Sequence, residues 1–355
     1  MEGKHSDHQP DSQDLRKDSE LLRSHFGLLD LSERDRVCLL GADRLRFLNG
    51  QVTNNIKDLS PFRGCYALVV SNKGIIEGDS QIYSLADELL VDLEPGQGEA
   101  FRQRLERYLV YDDVEIVDVR PHFGLITVQG PKSAEALAQL KGLDCRSVLN
   151  QPNTIAQVSH LEGGEIYLAN HPRLGSEGFD FFVAASRHPS LLDELKQLAQ
   201  SQGAKLCHPD SVDPVRIEAG IPRFPIDMEP SVLAPELGQT ERMINYTKGC
   251  YIGQEVINRI KSIGRVNRCL AGLIVEENSG PLGTGAPIHQ EDKVVGFVTS
   301  HAFSHHLNRN IGLAILRTSV SEPGTQLQAR IEGYPQPTRL TVTDLPFPAA
   351  APSEA

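Results

Sequence analysis

The pattern of hydrophobic and polar positions divides the chain into two similar segments and a third of different character. The first segment predicts strands at RVCLLG, GCYALVV, IIEGDSQIY, ELLVDL and DVEIVDV, and helices at ADRLRFLNGQVTNNI and EAFRQRLERYLV. The second repeats this plan with strands at FGLITVQG, IAQVSH, EIYLAN and FDFFVAA, and helices at KSAEALAQL and SLLDELKQLAQ. Because the order of elements recurs, we predict an α+β fold built from a duplicated unit of roughly 90 residues.

The pattern changes after Arg268, where short apolar stretches alternate with turns rich in glycine and proline. These stretches are AGLIV, APIHQ, KVVGFVTS, IGLAILR, QLQARIE and TRLTVTD. Many short strands joined by tight turns are typical of a small β-barrel. The predicted organisation is a disordered tail at 1–20, a first α+β subdomain at 21–120, a second at 121–267, a barrel at 268–347 and a tail at 348–355.

Composition argues against several classes of partner. The chain has 355 residues, a net charge of -12, no tryptophan and 6% aromatic residues, which does not favour a nucleic-acid partner. Its apolar runs are strand-sized, so no membrane partner is expected. The polar N-terminus lacks the pattern of a secretory or mitochondrial signal, and the six cysteines form no C-x-x-C pair. We therefore predict a cytoplasmic protein without a metal site.

Several blocks of the sequence resemble the glycine-cleavage T-protein superfamily (aminomethyltransferase, GcvT). They include GLITVQGP, LGSEGFDFFV, RIEAGIPRF and VGFVTS, and the segment KGCYIGQE is similar to the signature of the YgfZ branch of folate-binding proteins. The resemblance implies a ferredoxin-like GcvT/YgfZ folate-binding module, in which two related α+β subdomains with exchanged strands and a C-terminal barrel surround a central pocket. Tetrahydrofolate is accordingly the expected cofactor.

The resemblance places Glu218 of RIEAG where the family binds the pterin ring. A pterin presents two neighbouring N–H donors, and one carboxylate accepts from both. From residue type alone, a solvated helix glutamate is the alternative. Lys248 matches a cation that the family places near the folate, whose glutamyl tail is anionic. A solvated loop lysine is the alternative for that residue.

Cys250 differs from the other cysteines because it combines a helix start with nearby cations. It precedes the predicted helix GQEVINRI and lies between Lys248 and a basic run that begins at Arg259. A helix N-terminus and positive charge both favour the thiolate, so we predict a reactive thiol. The resemblance also assigns Tyr251 and Asn54 to the cofactor, with a helix cap as the alternative for Asn54. The basic run is either a solvated surface or part of an anion site for folate or an acidic partner.

Two functions from different classes follow from the resemblance. The YgfZ branch implies a tetrahydrofolate-binding accessory protein that supports assembly or repair of iron–sulphur clusters in client enzymes, with Cys250 as the working thiol. The alternative is a folate-dependent aminomethyltransferase that moves a one-carbon unit from a lipoyl-bound amine to tetrahydrofolate. That reaction needs a carboxylate near the folate nitrogen. An ungapped count puts Glu99 where the family has this aspartate, so the sequence favours the accessory protein and leaves enzymatic activity open.

Overall fold

The computed structural model describes residues 12–149, 151–160 and 164–348. Its strands are β1 (Gly27–Asp30), β2 (Asp35–Leu40), β3 (Arg63–Val70), β4 (Ile76–Ser84), β5 (Leu89–Leu93), β6 (Glu115–Asp118), β7 (Phe123–Gln129), β8 (Ile155–His160), β9 (Gly164–Asn170), β10 (Gly178–Ala184), β11 (Arg268–Val275), β12 (Pro287–Gln290), β13 (Lys293–Ser304), β14 (Arg309–Arg317), β15 (Gln326–Ala329) and β16 (Thr338–Thr343). Its helices are α1 (Ser12–Ser24), α2 (Arg44–Gln51), α3 (Gly98–Glu106), α4 (Ser133–Leu137), α5 (Arg146–Leu149), α6 (His188–Ser201), α7 (Val212–Glu218), α8 (Thr240–Met243) and α9 (Gln254–Ile263). The strands form two five-stranded sheets and a closed barrel, which confirms the predicted fold.

Each five-stranded sheet packs helices on one face. The first sheet has the order β3-β4-β5-β2-β6, and Leu48 of α2 and Phe101 of α3 are buried against it. The second sheet has the order β1-β7-β10-β9-β8 and buries Leu191 of α6. β1 pairs with β7 in the second sheet, although the next strand along the chain, β2, belongs to the first. The predicted strand exchange is therefore present.

The two sheets meet through their other faces. Tyr83 and Leu90 of the first sheet pack against Leu125 and Phe182 of the second. The rings of Tyr83 and Phe182 are 6.1 Å apart in an edge-to-face arrangement, which is a favourable geometry for an aromatic pair. This contact holds the two sheets together beside the cavity described below.

The barrel closes in the order β11-β14-β13-β12-β15-β16, and each of its strands overlaps one of the predicted stretches. Aliphatic side chains such as Leu273, Ile288 and Leu316 fill its interior. These strands are short apolar stretches bounded by turns rich in glycine and proline, which explains why the sequence pattern identified them.

The segment that connects the second sheet to the barrel, residues 212–263, packs against both the first sheet and the barrel. It shares one core cluster with Leu68 of β3 and Ile315 of β14. At Gly253, within KGCYIGQE, φ is +82° and a Cβ would lie 2.4 Å from the carbonyl oxygen of Ser71. Only glycine fits where the motif crosses the β3–β4 turn. This placement differs from the predicted second subdomain, whose sheet the motif does not join.

Two local predictions are wrong. The predicted tail at 1–20 overlaps a helix, because Ser12–Ser24 forms α1 and its Leu22 is fully buried. The helix predicted through NGQVTNNI ends at Gln51, since Val52 is extended and bridges to β3. β1 has no counterpart among the predicted strands.

The remaining parts of the predicted tails, residues 1–11 and 349–355, lie outside the described residues. Within the part of the chain that the structure describes, no helix has the length and apolar character that crossing a bilayer would require.

Candidate active site

A cavity of about 660 Å³ lies where the two sheets meet the connecting segment. Its size falls within the range of small-molecule binding sites. Side chains of β3, β4 and β5, of the loops after β1 and β9, and of the connecting segment form its wall. The apolar lining includes Leu29, Leu174, Ile221 and Met243, and the polar lining includes Arg34, Tyr66, Asp79, Gln81, Asp92, Glu94, His171, Arg173, Arg223 and Arg242.

A buried ion-pair network joins the two sheets on one side of the cavity. Arg173 donates to Asp92 of β5 at 2.7 Å and to Asp180 of β10 at 2.7 Å. Arg34 donates to the other oxygen of Asp92 at 3.0 Å. Burial alone would raise the pKa of Asp92, but Arg173 and Arg34 hold it below the ordinary value. These charges are matched within the protein, so the network serves to hold the sheets together.

Asp79 of β4 is in a different situation. Its Oδ2 accepts a hydrogen bond from the Tyr66 hydroxyl at 2.6 Å. Across the described residues, no lysine or arginine forms an ion pair with this carboxylate. Burial raises the pKa of Asp79 to about 6, and the charge of the neighbouring Glu94 acts in the same direction. A carboxyl group with such a pKa can exchange a proton near neutral pH, as general acid–base catalysis requires.

Arginines of the connecting segment add positive charge to the lining of the cavity. Arg242 is exposed, and its guanidinium lies 5.1 Å from the centre of the Tyr66 ring. Arg223 reaches Asp213 at 3.4 Å. Arg242 has no carboxylate partner among the residues that the structure describes. It is therefore free to pair with an anionic ligand.

Asn54 and Lys248, both predicted to bind the cofactor, lie behind the cavity wall. The Asn54 side-chain amide donates to the carbonyl oxygens of Tyr66 at 2.8 Å and Arg242 at 3.0 Å. Lys248 Nζ donates to the carbonyl oxygens of Asn49 and Val52, each at 2.6 Å. Burial lowers the pKa of Lys248 to about 7, although the nearby Cys65 acts in the opposite direction. Neither side chain lines the cavity, so each supports the backbone that shapes it.

Glu218 and Glu99 are also outside the cavity. Glu218 lines a separate cavity of about 270 Å³ and accepts a hydrogen bond from the Ser304 hydroxyl of the barrel at 2.6 Å. It faces this way because α7 packs on β13. Glu99 is exposed at the start of α3 and pairs with Arg102 at 2.8 Å. The structure thus brings neither predicted carboxylate to the central cavity.

The residues predicted around the KGCYIGQE motif do not converge on the cavity either. Cys250 is exposed in the loop before α9, and Arg259 is exposed on that helix. Tyr251 is buried in the core cluster that links the connecting segment to the first sheet. Lys248 Nζ lies 4.9 Å from the centre of the Tyr251 ring, so these two residues stabilise each other. Within the described residues, no group of three His, Cys, Asp or Glu side chains is arranged to hold a metal ion.

Sequence reasoning missed Asp79, Tyr66 and Arg173. One usable signal is the presence of an aspartate inside an otherwise apolar strand, as in LLVDL and FDFFVA, because a buried charge needs a partner. These strands contain Asp92 and Asp180, and Arg173 is their shared partner. Asp79 gave no such signal, since IEGDSQIY is already polar.

Two family profiles match the chain. The GCVT N-terminal domain matches residues 5–248, and the glycine cleavage T-protein C-terminal barrel domain matches residues 268–347. An aminomethyltransferase of Anoxybacillus flavithermus is 24% identical over 93% of this chain and 89% of its own. One from Streptomyces coelicolor is 27% identical over 94% of this chain and 89% of its own. The crystal structure of glycine cleavage system aminomethyltransferase T from Bartonella henselae superimposes with a TM-score of 0.82, at 19% identity over 94% and 89% of the two chains, which shows a shared fold.

The prediction of an iron–sulphur accessory protein is wrong. The relatives that span most of this chain are named aminomethyltransferases, and so is the protein of the similar structure. These relatives give no support to the YgfZ branch, which depends on the KGCYIGQE segment alone. The comparisons favour the alternative, a folate-dependent aminomethyltransferase.

Proposed function

Because the chain belongs to the glycine cleavage T-protein family, we propose that its central cavity binds a reduced folate and that the protein transfers a one-carbon unit from a carrier-bound amine to that folate. The observation that carries this proposal is Asp79, a carboxylate without an ion-pair partner in the described chain, in a cavity of about 660 Å³. No step of the proposed function uses the thiol of Cys250, which is exposed outside the cavity lining.

The lining of the cavity suits both the aromatic rings and the anionic tail of a folate. The apolar residues Leu29, Leu174 and Met243 offer a surface for flat aromatic rings. Arg242 on the connecting segment lies where it can pair with the carboxylates of the glutamyl tail. Asp79, on the first sheet, is then available to contact the reacting nitrogens of the ligand.

The chemistry assigned to Asp79 is proton transfer. In the transfer, a folate nitrogen attacks the methylene carbon of the aminomethyl group, and the second folate nitrogen then closes the methylene bridge. Two new C–N bonds form while the C–S and C–NH₂ bonds of the donor break. The two N–H protons of the folate end on the carrier sulphur and on the departing ammonia. With its raised pKa, Asp79 can accept a proton from the attacking nitrogen and pass it to a leaving group.

We assign to Asp79 the role that the ungapped count along the sequence gave to Glu99, that of the carboxylate near the folate nitrogen. Glu99 is exposed and engaged by Arg102, whereas Asp79 faces the cavity from β4. A catalytic carboxylate must lie within hydrogen-bonding reach of the proton that it moves. Only the second of these two side chains can meet that requirement for a ligand in the cavity.

The test compares Asp79→Asn with Asp87→Asn, a matched control in the exposed turn after β4. Tetrahydrofolate affinity is measured by calorimetry, and turnover is measured as ammonia released from an aminomethyl-loaded lipoyl carrier protein. We expect Asp79→Asn to lower turnover about 100-fold or more and to change the folate dissociation constant less than threefold. Asp87→Asn should match the wild type. Wild-type protein that binds no tetrahydrofolate, or an Asp79→Asn variant with full turnover, would overturn the proposal.

A further inference from the structure

A second cavity, of about 270 Å³, lies between α1, α7 and the barrel, and we name it the α1 cavity. It is separate from the central cavity, although Leu174 lines both. Leu22 of α1, Val215 of α7 and Phe347 after β16 give it apolar walls. Its volume is just below the range of sites for drug-sized ligands, so it suits a smaller molecule.

Two opposite charges line the α1 cavity without pairing with each other. They belong to Arg23 on α1 and Glu218 on α7. Among the described residues, neither side chain forms an ion pair. Oε1 of Glu218 accepts the hydrogen bond from Ser304, whereas Oε2 has no hydrogen-bond partner in the described part of the chain. A cation and an anion that are both unmatched in one cavity are complementary to a ligand that carries both charges.

The carboxylate of Glu218 is held in a fixed position. The Ser304 hydroxyl that donates to it is fully buried, and its oxygen accepts from the N–H of Leu307 at 2.9 Å, so its proton is directed to Glu218. The N–H of Phe347 donates to the Glu218 carbonyl oxygen at 2.8 Å, which ties this apolar wall to the same residue. A carboxylate that is already ordered loses little conformational entropy when a ligand binds.

We propose that the α1 cavity binds a free α-amino acid with an apolar side chain. Arg23 pairs with the carboxylate of the amino acid, and Oε2 of Glu218 pairs with its ammonium group. Leu22 and Phe347 pack against its side chain. A simple amine or a simple acid would satisfy one of the two charged residues and leave the other unmatched. The inference goes beyond the proposed function and does not depend on it, since the two cavities share only Leu174 among their lining residues.

The test uses leucine as the probe, with isoamylamine and isocaproate as analogues that lack its carboxylate and its ammonium group, respectively. Dissociation constants are measured by ligand-observed NMR titration on the full-length protein without folate, for the wild type, Glu218→Gln and Arg23→Gln. The matched controls are Glu20→Gln on α1 and Arg317→Gln at the end of β14, because both side chains are exposed and lie outside the lining of the α1 cavity.

We expect the wild type to bind leucine at least tenfold more tightly than either analogue. Glu218→Gln and Arg23→Gln should each weaken leucine binding about tenfold, because each leaves one charge of the ligand without its partner. Glu218→Gln should not weaken isocaproate binding, Arg23→Gln should not weaken isoamylamine binding, and the two controls should match the wild type.

Three results would overturn the inference. The first is a wild type that binds no leucine at about 10 mM. The second is equal affinity for leucine and either analogue. The third is unchanged leucine binding in both Glu218→Gln and Arg23→Gln. If Asp79→Asn abolished leucine binding in that third case, the amino acid would lie in the central cavity instead.

Discussion

Two aspartates, one in each sheet, show how the same side chain serves two purposes at this junction. Asp180 of β10 is fully buried, and it accepts hydrogen bonds from Arg173 at 2.7 Å and from His171 at 2.9 Å. Asp79 of β4 accepts one from Tyr66 and has no ion pair in the described chain. The pKa of Asp180 is accordingly lowered despite its burial, whereas that of Asp79 is raised to about 6.

The difference shows that the shape of the surrounding sheet decides which charge is available for chemistry. Asp180 lies in a continuous sheet, between β7 and β9, where neighbouring strands exclude water and Arg173 is held in place. Asp79 lies beyond the end of the β4–β5 ladder and lines the central cavity. A paired buried carboxylate stabilises the fold, and an unpaired one in a cavity lining can meet a ligand.

Removing the charge of Asp180 should produce the larger loss of stability. We expect Asp180→Asn to lower the free energy of unfolding by about 3 kcal/mol or more, because Arg173 and His171 lose a buried anionic partner. Urea denaturation measures this change. Asp193→Asn is the control: its pair with Lys196 is at the surface, so a change below about 0.5 kcal/mol is expected. A similar small change for Asp180→Asn would contradict a stabilising role for the network.

The two aspartates should also respond to pH with opposite signs. The lowered pKa of Asp180 gives stability that is present above its ordinary pKa and is lost as the pH falls. The raised pKa of Asp79 means that the unfolded state ionises first, so stability is lost as the pH rises from about 4 to about 6. Asp79→Asn should therefore be more stable than the wild type above pH 6, on the order of 1 to 3 kcal/mol.

This second prediction is measured as the difference in unfolding free energy between Asp79→Asn and wild type at several pH values. The difference should shrink towards zero below about pH 4, where Asp79 is protonated in both states. Asp87→Asn, in the exposed turn after β4, supplies the control and should show no such trend. A difference for Asp79→Asn that stays constant across this range would mean that the carboxyl is not desolvated.

Much of the fold was predictable because it follows from local periodicity. Short apolar stretches between glycine- and proline-rich turns identified the barrel strands, and the repeated order of elements identified the duplication. The sequence analysis did not predict β1, because it is a strand of four residues whose position depends on pairing with β7, which is far away in sequence. The sequence analysis did not predict α1, because the helix is mostly polar and has only a narrow apolar face around Leu22.

The site was much less predictable, because it too depends on contacts between residues that are far apart in sequence. Glu218 and Lys248 occur in recognisable motifs, but their side chains turn to the barrel and to the backbone of α2. Asp79 owes its importance to the central cavity, which is formed by residues far apart in sequence and which no local pattern reveals. Motif position is a property of the sequence, whereas access to a cavity depends on where sheets end and how they meet.

The smallest predicted effect concerns the two basic regions, Arg242 at the cavity and Arg259 on α9. We expect Arg242→Gln to raise the dissociation constant for tetrahydrofolate about tenfold, which is about 1.4 kcal/mol, because the glutamyl carboxylates lose a cation that has no other partner among the described residues. Arg259→Gln should leave it unchanged, since that side chain is exposed away from the cavity lining. Calorimetry at two salt concentrations checks this prediction. Removing a cation that contacts the folate should reduce the salt dependence of the dissociation constant, whereas removing a distant cation should leave it unchanged. Weaker binding in Arg259→Gln but not in Arg242→Gln would move the folate site to the KGCYIGQE side of the protein, as the sequence motif alone predicts.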